Sequence, residues 1–430
     1  MASPGSYAQY CGINKTFIIN GGKYEFAGPY ADRVTVTTLA PRFGTYATID
    51  TIQDESVSDA IATSSACYVA TTTHLTKYES LCCGNPARRL AQADTLDGIN
   101  SLLYIPASNT HGIIIAATRA FGTPAGGARL VLFNDSLSTR TYVTGIPDEA
   151  DGLAVIGDSL FVSVPGSWGT VGGKLAIVNL ATRRLSRIID LGTNATSIGK
   201  LFTSPALPGK VISVNALEFG SSTGAITIYN SADGSFEHKL LPHPVGDGIG
   251  VINNLLYARF SASGFGVYDL STARMINPVL FNRPFAAATI TAESEDKYFT
   301  ATSQDYISNG KAWRISRSGL VTDSFEVGTS PEAVVASQFE CTTGIEQLAE
   351  SKPELEISPN PADDFIRVSY NGFAPLANTY KISDLSGKTV LTGFISTANP
   401  ELNIRALQAG MYILQVNGAK GTASEMLIRK

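Results

Sequence analysis

The stretch DGLAVIGDSLFVSV, residues 151–164, is echoed by DGIGVINNLLYARF, residues 247–260. Each has Asp-Gly, a short apolar strand, a tight polar turn and a second strand. GKLAIVNLATRRLSRIID (173–190), GAITIYNSADGSFEHKLL (224–241) and GFGVYDLSTARMINPVL (264–280) supply the next pair: a strand ending in Asn or Asp, a polar turn, another strand. Alternation at period two between Asn, Asp, Gly and Ser turns is hairpin chemistry. The combined unit spans about 40–50 residues and four strands, the size of one β-propeller blade.

Working outward, seven innermost strands are expected, beginning near Ser58, Gly98, Gly152, Ser197, Gly248, Ala286 and Pro331. The last unit shows only KAWRIS, LVTDSFEV and PEAVVAS, and its missing second strand is expected from KTFIIN, residues 15–20. That pairing closes the ring and removes open sheet edges. The expected fold class is all-β: a seven-bladed β-propeller over 7–341, a linker over 342–354, and a small Ig-like β-sandwich over 355–430.

Composition agrees. The 430 residues are 44% hydrophobic but only 16% charged, a β-rich exported profile rather than that of a helical cytosolic enzyme. A net charge of −5 without a basic cluster excludes nucleic acid as a partner. No apolar run reaches the length of a membrane-spanning helix, so no membrane span is expected. The opening MASPGS reads as a non-native scar standing where a signal peptide would normally be.

Of the five cysteines, Cys11 precedes the closing strand and Cys341 follows its antiparallel neighbour. A Cys11–Cys341 disulfide locking the ring is expected, which implies an oxidising compartment; the alternative is two unrelated buried thiols. Cys67 with Cys82 or Cys83 is a second possible pair.

After the polar segment 342–354, the chain restarts as DFIRVSY, YKISDLSGKTV, LNIRAL, GMYILQV and MLIRK. Pro359 and Pro361 fix the backbone ahead of the first of these strands. In MYILQV, Tyr412, Leu414 and Val416 share one face. The order Pro359-Asn360-Pro361, a strand, DLSGKTV with its turn Gly387, Gly410-Met-Tyr412 and a strand ending in Arg429-Lys430 resembles the C-terminal sorting domain of type IX secretion cargo. The resemblance implies the type IX secretion machinery as partner and a secreted protein or one at the extracellular face of the outer membrane. It implies nothing about activity. The body, through DGLAV-x-GD-x-LFV, resembles bacterial surface propellers that capture ligands such as cobalamin.

In a four-stranded blade, the 4–1 and 2–3 connections emerge on one face, where binding loops tend to gather. The 2–3 loops carry the aromatic candidates Tyr24, Phe121, Trp168, Phe219 and Tyr306, suited to stacking on a sugar, a cofactor ring or a protein. Asp59, Asp97, Asp151, Asp247 and Glu332 stand at or just before innermost strands. As a ring they could attract a cation or hydrogen-bond a polyhydroxyl or amide ligand; singly, Asp before Gly is ordinary turn chemistry. No cofactor is expected beyond that cation. GTPAGGAR lacks the Lys-Ser/Thr of a phosphate loop, SADGSF reads as a hairpin turn, and the four histidines show no ligand spacing. The expectation is an exported non-catalytic binding propeller that holds a small molecule, glycan or protein. The alternatives are a propeller hydrolase or lactonase with a metal at the channel mouth, and a surface adhesin.

Overall fold

The computed structural model describes residues 9–23, 34–40, 45–79, 87–94, 96, 98–106, 112–118, 128–165, 172–218, 220–246, 248–252, 254–261, 264–283, 287–294, 297–303, 305, 307–316, 318–341, 355–370, 378–395, 400–418 and 421–430. The chain divides into two units, 1–341 and 342–430.

Among the described residues, the first unit holds seven four-stranded antiparallel sheets. Six run in simple chain order and are numbered here sheet 1 (57–93), sheet 2 (99–146), sheet 3 (153–190), sheet 4 (198–241), sheet 5 (248–281) and sheet 6 (287–329). The seventh, the closing sheet, joins Pro331–Cys341 to Gln9–Asn20, Val34–Ala40 and Thr45–Ile52. Each sheet's innermost strand meets the innermost strand of the next, and Pro331–Cys341 meets Val57–Ala62, so the series closes on itself as a β-propeller does.

The expected closure is corrected in one respect. KAWRIS and LVTDSFEV lie in the last two strands of sheet 6, while the closing sheet takes one strand from the end of the unit and three from its start. The cause is that Gln9–Asn20 pairs on both sides, with Val34–Ala40 and with Pro331–Cys341, with Phe17 opposite Val335 and Ile18 opposite Val334.

Each sheet is apolar on both faces because each is sandwiched. Ile115, Leu130 and Leu132 of sheet 2 pack on Leu153, Leu160 and Val162 of sheet 3. Phe17, Val34 and Val36 of the closing sheet pack on Val69 and Tyr78 of sheet 1, and Ile18 and Val334 meet Ala312 and Val327 of sheet 6. A fully buried side chain of this size contributes about 1.5–3 kcal/mol. Toward the outer rim, third-strand tyrosines carry their hydroxyls to the neighbouring sheet. Tyr78 donates to Asp50 at 2.8 Å, and Tyr229 accepts from Arg187 at 3.0 Å.

The Asp-Gly pairs that announced the repeat have a packing cause. A Cβ on Gly152 would lie 2.5 Å from the Leu201 nitrogen and 2.6 Å from the Gly199 carbonyl; one on Gly248 would lie 2.7 Å from the Phe202 ring. Glycine stands where innermost strands of adjacent sheets approach most closely.

The second unit is a β-sandwich. A three-stranded sheet (Leu355–Ser358, Phe365–Tyr370, Glu401–Asn403) faces a four-stranded one in the order Thr389–Ile395, Asn378–Asp384, Gly410–Gly418, Gly421–Arg429. Ile366, Val368 and Tyr370 meet Ile382, Tyr412, Leu414, Val416 and Leu427 between them. Met411 and Ile413 are exposed on the other face, as the alternation requires.

Replacing Gly152 by Ala has no flexible neighbour to displace, only backbone, and is expected to destabilise the first unit by about 2–4 kcal/mol. Urea denaturation followed by far-ultraviolet circular dichroism checks this through the midpoint.

Candidate functional site

The loop face of the first unit is built from the 4–1 and 2–3 connections. Of the residues expected to form its site, Tyr24, Phe121, Trp168, Phe219, Tyr306, Asp97 and Asp247 lie outside the described residues. The structure places the other three, Asp59, Asp151 and Glu332, at the start of innermost strands.

Two of them stitch neighbouring sheets. Glu332, on the innermost strand of the closing sheet, accepts the Val57 N–H of sheet 1 and the Ser330 hydroxyl at 2.9 Å. Asp59 of sheet 1 accepts the Leu102 N–H of sheet 2 at 2.9 Å, and its other oxygen accepts the Ala60 N–H at 3.0 Å. Asn100 of sheet 2 continues the pattern, donating to the Ala150 carbonyl just before sheet 3 at 2.8 Å. Such bonds satisfy backbone groups that a strand at the inner edge of its sheet leaves unpaired. Asp59 also faces Lys200 of sheet 4 across the channel, Nζ to Oδ1 3.4 Å. Asp151 is half-buried, its N–H donating to the Ser163 carbonyl at 3.0 Å. Among the described residues, no three His, Cys, Asp or Glu side chains group closely enough to hold a metal ion.

A second cluster on this face was not expected. Asp54 lies on the connection from the closing sheet to sheet 1, His74 on the 2–3 connection of sheet 1, and Asp94 on the connection to sheet 2. The nearly buried Asp54 carboxylate accepts His74 Nδ1 at 2.9 Å, the Thr71 hydroxyl at 2.6 Å and the Thr73 N–H at 2.7 Å. Burial works to raise this carboxyl, but the hydrogen bonds from Thr71, His74 and Thr73 outweigh it and hold it below the ordinary range. His74 Nε2 then points toward Asp94 Oδ1 at 3.7 Å. The imidazole is held in one tautomer and orientation by its buried carboxylate. The Thr71 and Thr73 hydroxyls both donate to that same carboxylate, so the cluster fixes the orientation of the imidazole.

His238 is wholly structural. Its Nε2 donates to the Leu191 carbonyl at 3.0 Å, and its Nδ1 accepts from Thr227, which accepts from Asn215 at 2.6 Å.

The cysteines divide. Cys67 is a free thiol buried against Val69 and Tyr78, and burial raises its pKa, so the alternative pairing with Cys82 or Cys83 is corrected; those two lie outside the described residues. Cys11 and Cys341 sit on adjacent antiparallel strands. Gln9 is opposite Cys341, and Cys11 stands at the register shift between Tyr10 and Gly12. Their side chains lie outside the described residues.

In the second unit, Asn360 is a double clamp on the last strand. Its Nδ2 donates to the Met426 carbonyl at 2.7 Å and its Oδ1 accepts the Ile428 N–H at 2.9 Å. The Ser358–Pro359 and Asn360–Pro361 bonds are cis. Ala362 continues the clamp, exchanging bonds with Ile428 and Lys430. Asp364 holds Arg405 at 2.8 Å and Arg429 at 3.2 Å. Gly387 closes the turn at φ 85°, where Asp384 Oδ1 accepts from the Ser386 and Lys388 N–H groups. The Tyr412 hydroxyl donates to the Gln408 carbonyl at 2.9 Å, next to Gly410.

Residues 356–430 match the family described as the secretion system C-terminal sorting domain. The chain therefore carries a type IX sorting domain, which implies export and a secreted or cell-surface location. No helix among the described residues is long and apolar enough to cross a membrane. No curated protein matches the chain. Among solved structures, a hypothetical selenium-binding protein from Sulfolobus tokodaii is similar at 10% identity and a TM-score of 0.53, covering 76% of this chain and 94% of that one. Apo AztD from Citrobacter koseri is similar at 14% identity and 0.47, covering 75% and 98%. The Saccharomyces cerevisiae protein Sqt1 follows at 11% and 0.47, covering 71% and 80%. At 10% identity the likeness to the first of these concerns the fold alone.

Burial pushes the Glu332 carboxyl up to about 7, against the lowering effect of Ser330 and Val57. The native state thus holds this proton where the unfolded chain has released it, so stability falls as pH rises between about 4.5 and about 7. Glu332→Gln is expected to flatten that slope and to stabilise the first unit above pH 7 by up to roughly 3 kcal/mol. Urea midpoints at pH 5 and pH 8 measure both effects.

Proposed function

We propose that this chain is an exported seven-bladed propeller that holds a ligand or partner on its loop face without transforming it. The observation that carries this reading is the use of the mouth carboxylates: Glu332 and Asp59 are spent on backbone N–H groups of the next sheet, and Asp59 also on Lys200. Acids engaged this way brace a scaffold and leave recognition to the 2–3 loops, whose aromatic residues Tyr24, Phe121, Trp168, Phe219 and Tyr306 suit stacking on a small molecule, a glycan or a protein. The sorting domain supports delivery by the type IX machinery to the extracellular side of the outer membrane. That oxidising setting fits a Cys11–Cys341 disulfide across the closing strand pair.

Two measurements test this reading. Mass spectrometry of the purified protein is expected to find a co-purified ligand that Trp168→Ala retains less well, and metal analysis is expected to find no stoichiometric ion. A stoichiometric transition metal or calcium ion would overturn the non-catalytic reading.

A further inference from the structure

At the end of the channel away from the loop face, the described structure forms an open recess of about 380 Å³. It lies where the innermost strands of sheets 2, 3, 4 and 5 finish, and its walls include Leu103, Ile105, Leu153, Val155, Phe202 and Val251. Among the described residues no lining side chain carries a charge, and Tyr104, whose ring stacks on Tyr68 of sheet 1, and Thr203 are the lining residues with a hydroxyl. Most of these apolar side chains pack against the cores between sheets while staying partly open to solvent.

We propose that this recess is a binding site for an uncharged, largely apolar small molecule. Three observations narrow the occupant. A recess of about 380 Å³ falls in the size range of small-molecule sites. Among the described residues the walls offer an ion no counter-charge, so nothing there favours a charged ligand over an uncharged one. The four strands each stand at the inner edge of their sheet, so backbone N–H and C=O groups facing the channel have no ladder partner there. A few polar atoms on an otherwise apolar ligand would meet them, which is the usual make-up of a small-molecule site of this size. The site is separate from the loop face, and its failure would leave the loop-face reading untouched.

The test uses the full chain and two fluorescent probes: N-phenyl-1-naphthylamine, uncharged and apolar, and the anion 1-naphthoate. The uncharged probe is expected to bind saturably at one per chain, and the anion at least about tenfold more weakly. Thr203→Trp, at an exposed position on the rim, fills the recess and is expected to weaken the uncharged probe by about tenfold or more. Val251→Arg places a charge in the wall and does the same; should it fail to fold, Thr203→Trp decides. Phe394→Ser, on the exposed sheet face of the second unit, leaves binding unchanged. The proposal is overturned if no saturable binding occurs, if the anion binds as well, if Thr203→Trp binds like the parent, or if Phe394→Ser abolishes binding.

Discussion

The antiparallel pairing of Gln9–Asn20 with Pro331–Cys341 is the constraint on which the first unit rests. Every sheet is apolar on both faces, so each needs two neighbours. A row of such sheets would leave two faces in water; a ring leaves none. The seam buries Phe17, Ile18 and Ile19 completely. Joining strands more than three hundred residues apart costs only a logarithmic term in chain entropy, which burial of a few such side chains offsets.

Between any two sheets the chemistry changes with radius. At the inner rim, Glu332, Asp59 and Asn100 tie innermost strands to the next sheet's backbone. The middle is aliphatic and aromatic. At the outer rim, tyrosine hydroxyls reach charged partners: Tyr78 meets Asp50, itself bound to Arg89 at 2.6 Å, and Tyr229 meets Arg187. Polar groups at both rims fix the angle at which apolar faces meet, since a sliding sheet would break directional bonds before losing much contact. The result is a rigid ring on which connections can vary.

Much of this was readable in the residues, and for a local reason. Alternation and turn chemistry are short-range, so the innermost strands and the restart at Leu355 could be placed closely. Pairing partners are not local: KAWRIS and LVTDSFEV read correctly as strands, yet their sheet was misassigned because period two says nothing about which edge a strand joins. The mouth carboxylates were found in position but not in role, because an acid at a strand start looks alike whether it awaits a ligand or a backbone N–H. His74 escaped notice because its partners Asp54 and Asp94 sit on two other connections, and no linear spacing marks them. Asn360 was legible only as a turn residue between prolines; its grip on Met426 and Ile428 crosses more than sixty residues of chain.

The seam also gives the first unit a mechanical direction. The sorting domain follows Cys341 in the chain, so traction on it arrives at the end of the innermost closing strand, at the rung where Cys341 faces Gln9. Two antiparallel strands loaded at one end open like a zip, each rung carrying the force alone, whereas strands loaded along their length share it. Traction across that strand pair would load its rungs one at a time, and a covalent bond between Cys11 and Cys341 would sit near the first of them.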